Sequence, residues 1–314
     1  MSRLAERLPS GLRRVVGFAV LLAVVAGVQW LVGWDRIASA WLAAGAPAIA
    51  GCFALMVASY AARAVRIGLA LAPRPPLLTL FRVTTIHLAA INTLPARAGE
   101  FALPWLLARE CGRRFGEGLA LLFWIRLLDV QVLGMLAAAI VLAPTGQAPA
   151  ALGAAAALIG PIALWAVLRH PWWRRRVPDS GKLGRVLHVV RDHAPPGAAA
   201  YLHLGGWTLA AWLLKFTALG LWLTAVTTLD PATALLAVVA AEVAALIPVQ
   251  GPAAAGTYEA AVTAALAASG VPAATALAAA VSLHLFVLGS SLVCGALSWI
   301  ATARRTAPEA DTRR

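Results

Sequence analysis

Charge is what this sequence has least of. Only 12% of its 314 residues are charged, and acidic residues are the scarcer sign, 13 against 26 Lys and Arg. A soluble domain of this length could not cover its surface with so few polar groups, so the composition excludes one. Nor is there room for a separate soluble unit, since the longest polar stretch runs only over 170–200. Cysteine is also sparse. Cys52, Cys111 and Cys294 are scattered, with neither metal-ligand spacing nor a disulfide framework. Two of them fall in apolar runs, where a small buried thiol is the simple reading. Nucleophile–base sets, metal clusters and nucleotide motifs are missing too, so neither a cofactor nor an enzyme activity is expected.

Apolar residues are what the chain has in abundance, 61% of the total, with a mean hydropathy of +0.81. Together these indicate an all-α polytopic membrane protein. The net charge of +13 would suit nucleic acid. The basic residues, however, fall in short segments between apolar runs, as membrane loops do, so no nucleic-acid partner is expected. The N-terminus places Arg3, Arg7, Arg13 and Arg14 before "VVGFAVLLAVVAGVQWLVG". That run is too long for a signal-peptide core and reads as an uncleaved first span. The abundance of Ala, Gly, Pro and Arg suggests a GC-rich bacterial genome and hence a bacterial inner membrane.

A crossing helix needs about 20 apolar residues. Six segments meet or approach this: 15–34, 40–62, 118–143, 150–168, 203–228 and 276–301. Between them, Lys and Arg alternate. The N-terminal arm, 63–76 (Arg63, Arg66, Arg74), 109–117, 169–202 and the tail are basic, while the other loops carry only Arg36. The positive-inside rule then puts both termini in the cytoplasm. Arg63 and Arg66 read as interfacial anchors, with contact to lipid phosphate as the alternative, and "HPWWRRR" reads as an interfacial anchor.

Region 77–108 must therefore begin and end on the cytoplasmic side. Its second arm, "FALPWLLA", reaches about 12 Å, too short to cross. A re-entrant hairpin is expected, with "LTLFRVTTIHLAAINTL" entering, "PARAG" turning and "EFALPWLLA" returning. Region 232–268 reads as its counterpart from the opposite side, with "VQGPAAAG" as the turn, although two short crossings would give the same parity. The order span, span, hairpin, span then occurs twice with opposite orientation, an inverted-topology repeat. Residues 1–146 form the first half of a single membrane domain, 147–303 the second, and 304–314 a flexible cytoplasmic tail.

Polar and ionisable groups inside hydrocarbon are costly and mark either internal pairs or function. Such residues are Arg82, His87, Asn92, Arg97 and Glu100 on the first hairpin, and Arg126 with Asp129 in "WIRLLDVQVLG". Glu242, Gln250, Tyr258 and Glu259 lie on the second hairpin, His284 in the last span, and Lys215 alone in its span. One reading is purely structural: Arg126 with Asp129 and Arg97 with Glu100 neutralise each other at i and i+3. The other is anion recognition. Arginine offers a planar fork of donors that matches a phosphate, which makes Arg82, Arg97 and Arg126, with Asn92, candidate headgroup ligands. Glu100, Asp129, Glu242, Glu259 and His284 would pair these charges or carry protons. Pro95, Gly99, Pro248, Gly251 and Gly256 would build the two turns and let the backbone approach closely.

"NTLPARAGEFALPWLLAR", then "WIRLLDVQVLG", then "IPVQGPAAAGTYEAAV" resembles the lysylphosphatidylglycerol synthase transmembrane family, a flippase-like bacterial membrane family. "SYAARAVRIGL" is similar to its second span, and the resemblance covers about residues 10–302. On it, Asn92, Pro95, Arg97, Gly99 and Glu100 carry the first motif, Arg126 and Asp129 the second, and Pro248, Gly256 and Glu259 the third. The chain departs at the second turn, where "GPAAAG" replaces a denser glycine run, and in the last span, where Ser282 and His284 stand near the family's usual arginine. The resemblance implies movement of an anionic or polyprenyl-phosphate lipid between leaflets, or service as a partner to a lipid-linked glycosyltransferase or hopanoid enzyme. A membrane enzyme acting on a lipid phosphate is a further alternative. Some members are fused to a soluble aminoacyl transferase domain. It has no counterpart in this sequence, so lipid aminoacylation is not expected.

Overall fold

The computed structural model describes residues 26, 29–30, 33–145, 148–170, 181–246 and 252–306. Ten α-helices and two short 3-10 helices occur among them, with no strand. Most of the expected first span, the "HPWWRRR" anchor after its first residue, Pro248, Gln250 and Gly251 lie outside the described residues.

Helix α1, Trp34–Leu69, is broken once, at Gly45 (φ 78°, ψ 160°). Pro47 follows, tolerated because the first turn of a helix needs no partner for its N–H. Beyond this break the helix runs past the expected limit of 62 to Leu69, stopping just before "PRPP". Arg63 and Arg66 therefore stand inside a helix and are buried, at 7% and 2% exposure. The expectation that they anchor the membrane interface is wrong. No breaker separates them from the span, and a buried acid awaits them.

Helix α2, Leu77–Thr93, ends where Leu94 turns extended ahead of Pro95, the conformation a residue before proline prefers. A 3-10 helix, Pro95–Phe101, reverses the chain, and α3, Ala102–Cys111, leads it away. With ten residues, α3 is about 15 Å long. Helices α4 (Phe115–Thr145) and α5 (Ala148–Arg169) follow. Within the polar stretch after them lies an unforeseen amphipathic helix, α6, Lys182–Asp192. It docks on α4, where Trp124 Nε1 donates to the Val190 carbonyl (2.8 Å).

Helix α7 spans Ala198–Val226. Helix α8, Pro231–Ala244, starts on a cap built by Asp230, which accepts from the Ala232 and Thr233 amides, with proline in the first turn. A second 3-10 turn, Pro252–Ala254, leads to α9, Thr257–Ala268, and α10 runs Ala273–Thr306. Residues 304–306 thus belong to α10 rather than to a free tail.

Helices α1, α4, α7 and α10 are long and apolar enough to cross a membrane. They contain the expected spans 40–62, 118–143 and 276–301 and all but the last two residues of 203–228, and α5 coincides with 150–168. Two apolar clusters hold them together. Ala64, Ile67, Leu80, Val83, Leu107 and Leu121 clamp α2 and α3 between α1 and α4. Tyr60, Leu219, Trp222, Val238, Leu283 and Phe286 join α1, α7, α8 and α10, with Trp222 stacked on Phe286 at 4.5 Å. Both clusters flank the same central space.

Candidate functional site

The turn after α2 shows how the chain brings charge into an apolar interior. Arg97 adopts φ 58°, left-handed backbone that costs a non-glycine residue free energy. Two residues on, Gly99 lies so close to the α2 backbone at Ala90 and Ile91 that a Cβ would overlap it. The turn therefore folds tightly back on α2 and aims Arg97 and Glu100 inward. Across from it, Gly256 (φ 87°) begins α9, and its N–H donates to Glu259 Oε2 at 2.7 Å. That glycine supplies a conformation other residues resist.

Arg97 joins the two turns. One terminal nitrogen donates to the Leu246 carbonyl at the end of the α8 arm, the other to Glu100 Oε1, both at 2.9 Å. Glu100 Oε2 accepts two N–H groups of Arg126, at 2.9 and 2.6 Å. Arg126 continues to Asp129 Oδ2 at 3.2 Å. Asp129 Oδ1 accepts from Arg66 Nη1 (2.6 Å) and from the Trp212 indole (3.1 Å), with Arg63 Nη1 at 3.8 Å. One continuous network thus links the first turn, α4, α1 and α7. Asp129 is 3% exposed and Glu100 14%, so these charges persist by mutual pairing.

Two further pairs complete the site. Lys215 on α7 meets Glu242 on α8 at 2.6 Å, and it also lies over the Trp212 ring. His284 Nδ1 on α10 sits 2.5 Å from Glu259 Oε1, and its ring stacks on Tyr258, with centroids 4.4 Å apart.

These groups line a cavity of about 510 Å³. Asn92, Arg97, Glu100, Arg126, Asp129, Glu242 and His284 face it, with apolar walls from Leu88, Ile91, Leu246 and Leu288. Glu259 borders it through His284. Arg82 does not line it, standing nearly three turns before Asn92 on α2. His87 is buried on α2 and also lies off the cavity. Sequence reasoning favoured Arg63 and Arg66 as anchors over lipid-phosphate contact and left them unpaired, missed Trp212, and found no partner for Lys215. Only the depth of Arg63 and Arg66 in an unbroken helix could have signalled their role.

A second cavity, of about 480 Å³, lies toward the α1–α2 connection. Arg66 borders it, while Asp129 borders the first. The Arg66–Asp129 pair therefore stands between the two spaces. Among the described residues no cluster of His, Cys, Asp and Glu could hold a metal ion.

None of the curated proteins compared with the chain matches it. The family model described as lysylphosphatidylglycerol synthase TM region, by contrast, matches residues 15–295, nearly the whole chain. That family is defined by a membrane domain, in keeping with the long apolar helices and with a role tied to membrane lipid. This multi-pass membrane protein belongs to the lysylphosphatidylglycerol synthase TM region family.

Proposed function

We propose that the protein moves a polar, phosphate-bearing lipid between the leaflets of the bacterial inner membrane, as a transporter rather than an enzyme. The observation that carries this reading is the meeting of two short-armed turns at a cavity lined both by charged and by apolar side chains. A lipid headgroup needs the first surface and its chains the second. Asn92, Arg97 and Arg126 border that space and are within reach of a headgroup, whereas Arg82 is not.

In this reading α2–α3 and α8–α9 are re-entrant hairpins entering from opposite sides, with both termini cytoplasmic. Their arms support it: at 10, 14 and 12 residues, α3, α8 and α9 are each shorter than the roughly 20 residues a crossing requires. Packing supports an inverted repeat. The corresponding helices α1 and α7 pair closely, and each hairpin's first arm rests on the last span of the other half, α2 on α10 and α8 on α4. Alternating access uses such symmetry, and the Arg66–Asp129 pair between the two cavities would be its barrier.

The test is reconstitution of the purified protein in vesicles holding tail-labelled phosphatidylglycerol, followed by a membrane-impermeant quencher of the label. Movement is expected to expose the inner-leaflet label in protein-containing vesicles only. A chemically altered lipid would identify an enzyme instead. With neither movement nor alteration, service to a lipid-linked glycosyltransferase or hopanoid enzyme would replace transport.

A further inference from the structure

We infer that Arg63, seated on Trp212, is the residue that grips the ligand's phosphate, and that the cavity selects headgroups of net negative charge over those of net positive charge. The inference rests on the reading of the cavity as a lipid-headgroup site and names what that site prefers.

The cations around the cavity are not equally occupied. Arg97 has Glu100 and the Leu246 carbonyl, Arg126 has Glu100 and Asp129, Arg66 has Asp129 and Thr208, and Lys215 has Glu242. Arg63 alone lacks a hydrogen bond among the described residues. Its nearest acid oxygen, Asp129 Oδ1, lies 3.8 Å away, beyond hydrogen-bond range, and already accepts from Arg66 and Trp212. The Arg63 guanidinium instead sits 5.0 Å from the centre of the Trp212 ring. A ring face holds a guanidinium in place without using its N–H groups, which leaves a planar fork of donors free. Arg63 borders the cavity, and its donors open onto that space rather than onto a protein acceptor. Its ion pair with Asp129 is long, so an entering phosphate can take the fork in charge-assisted hydrogen bonds without breaking a shorter one.

Charge balance points the same way. Arg63, Arg66, Arg97, Arg126 and Lys215 face four carboxylates, Glu100, Asp129, Glu242 and Glu259. The site thus carries a formal surplus of one positive charge with His284 neutral, and more with it protonated. A phosphodiester monoanion cancels that surplus. A headgroup whose ammonium groups outnumber its phosphate adds to it, in a setting where charges are weakly screened.

The test compares lipids bound to the purified full-length protein by native mass spectrometry. Phosphatidylglycerol and lysyl-phosphatidylglycerol are offered at equal mole fraction in the detergent micelle. Phosphatidylglycerol adducts are expected to exceed lysyl-phosphatidylglycerol adducts by about tenfold. Arg63→Gln should lower phosphatidylglycerol binding by about tenfold, and Arg63→Lys, which keeps charge but loses the fork, by less. Equal binding of the two lipids by the parental protein would overturn the inference. So would a folded Arg63→Gln protein that binds phosphatidylglycerol as the parent does. Should that variant fail to fold, Arg63→Lys decides in its place, and parental phosphatidylglycerol binding by it would overturn the assignment. Millimolar inorganic phosphate should not displace the lipid, and displacement would overturn a lipid as the source of the phosphate. If vesicles show no lipid movement while this selectivity and the loss in the Arg63 variants both hold, the transport reading falls and the Arg63 assignment stands. If phosphatidylglycerol and lysyl-phosphatidylglycerol move equally well, transport stands and the selectivity falls.

Discussion

Arg66 and Asp129 lie 63 residues apart in the chain, yet Arg66 Nη1 and Asp129 Oδ1 are 2.6 Å apart in a part of the protein where both are nearly inaccessible. The contact fastens α1 to α4 and also separates two cavities. Asp129 is the busiest acceptor of the site, with Arg66, Trp212, Arg126 and the more distant Arg63 around it.

Removing that acceptor should be costly. Asp129→Ala strands buried guanidinium groups, and about 3–5 kcal/mol of stability should be lost, as when one partner of a buried pair is deleted. Thermal unfolding of the purified protein in detergent measures this. A melting temperature equal to the parent's would mean that the network is not a structural keystone.

Arg97 should behave differently. Glu100 keeps both N–H groups of Arg126 when Arg97 is lost, and the Arg97 side chain is 27% exposed. Arg97→Ala should therefore cost only about 1 kcal/mol. It removes the bond to the Leu246 carbonyl, so the two turns uncouple and lipid movement should fall sharply. Arg97→Ala with Glu100→Gln should fold but still fail to move lipid. Parental transport by that folded double variant would assign the pair a purely structural role.

Lys215 and Glu242 form a pair that a charge-cancelling double change can test. Lys215→Met alone leaves a buried carboxylate without its partner and should destabilise by about 3–5 kcal/mol. Adding Glu242→Leu should recover most of that loss. Additive losses in the double variant would show that the two side chains do not interact.

Gly99→Ala tests the tightness of the first turn. The added methyl meets the Ala90 backbone, which cannot move without opening the hairpin. A loss of about 1–3 kcal/mol is expected, with impaired lipid movement. Gly153→Ala is the control, since a methyl group there would meet nothing within 4 Å. Equal melting temperatures for the two variants would place the turn farther from α2 than the structure has it.

Much of this protein was determined by its sequence alone, because the signals were local. Apolar runs of spanning length announced α4, α7 and α10, and the i, i+3 spacing put Arg126 beside Asp129 and Arg97 beside Glu100 on any helical backbone. The shortness of "FALPWLLA" before Arg109 matches the ten-residue α3, and Pro95 with Gly99 marked the turn before it. Tertiary structure alone decided which helix faces meet. Arg63 and Arg66 looked like loop residues because nothing nearby in the chain offered them an acid, and Asp129 reaches them only when α1 packs against α4 and α7. Lys215 looked solitary for the same reason, its carboxylate lying on the next helix. In an apolar helix most faces are equally hydrophobic, so periodicity does not reveal which one turns inward. Pairing of buried charges across helices sets that rotation, and it exists only once the helices are assembled.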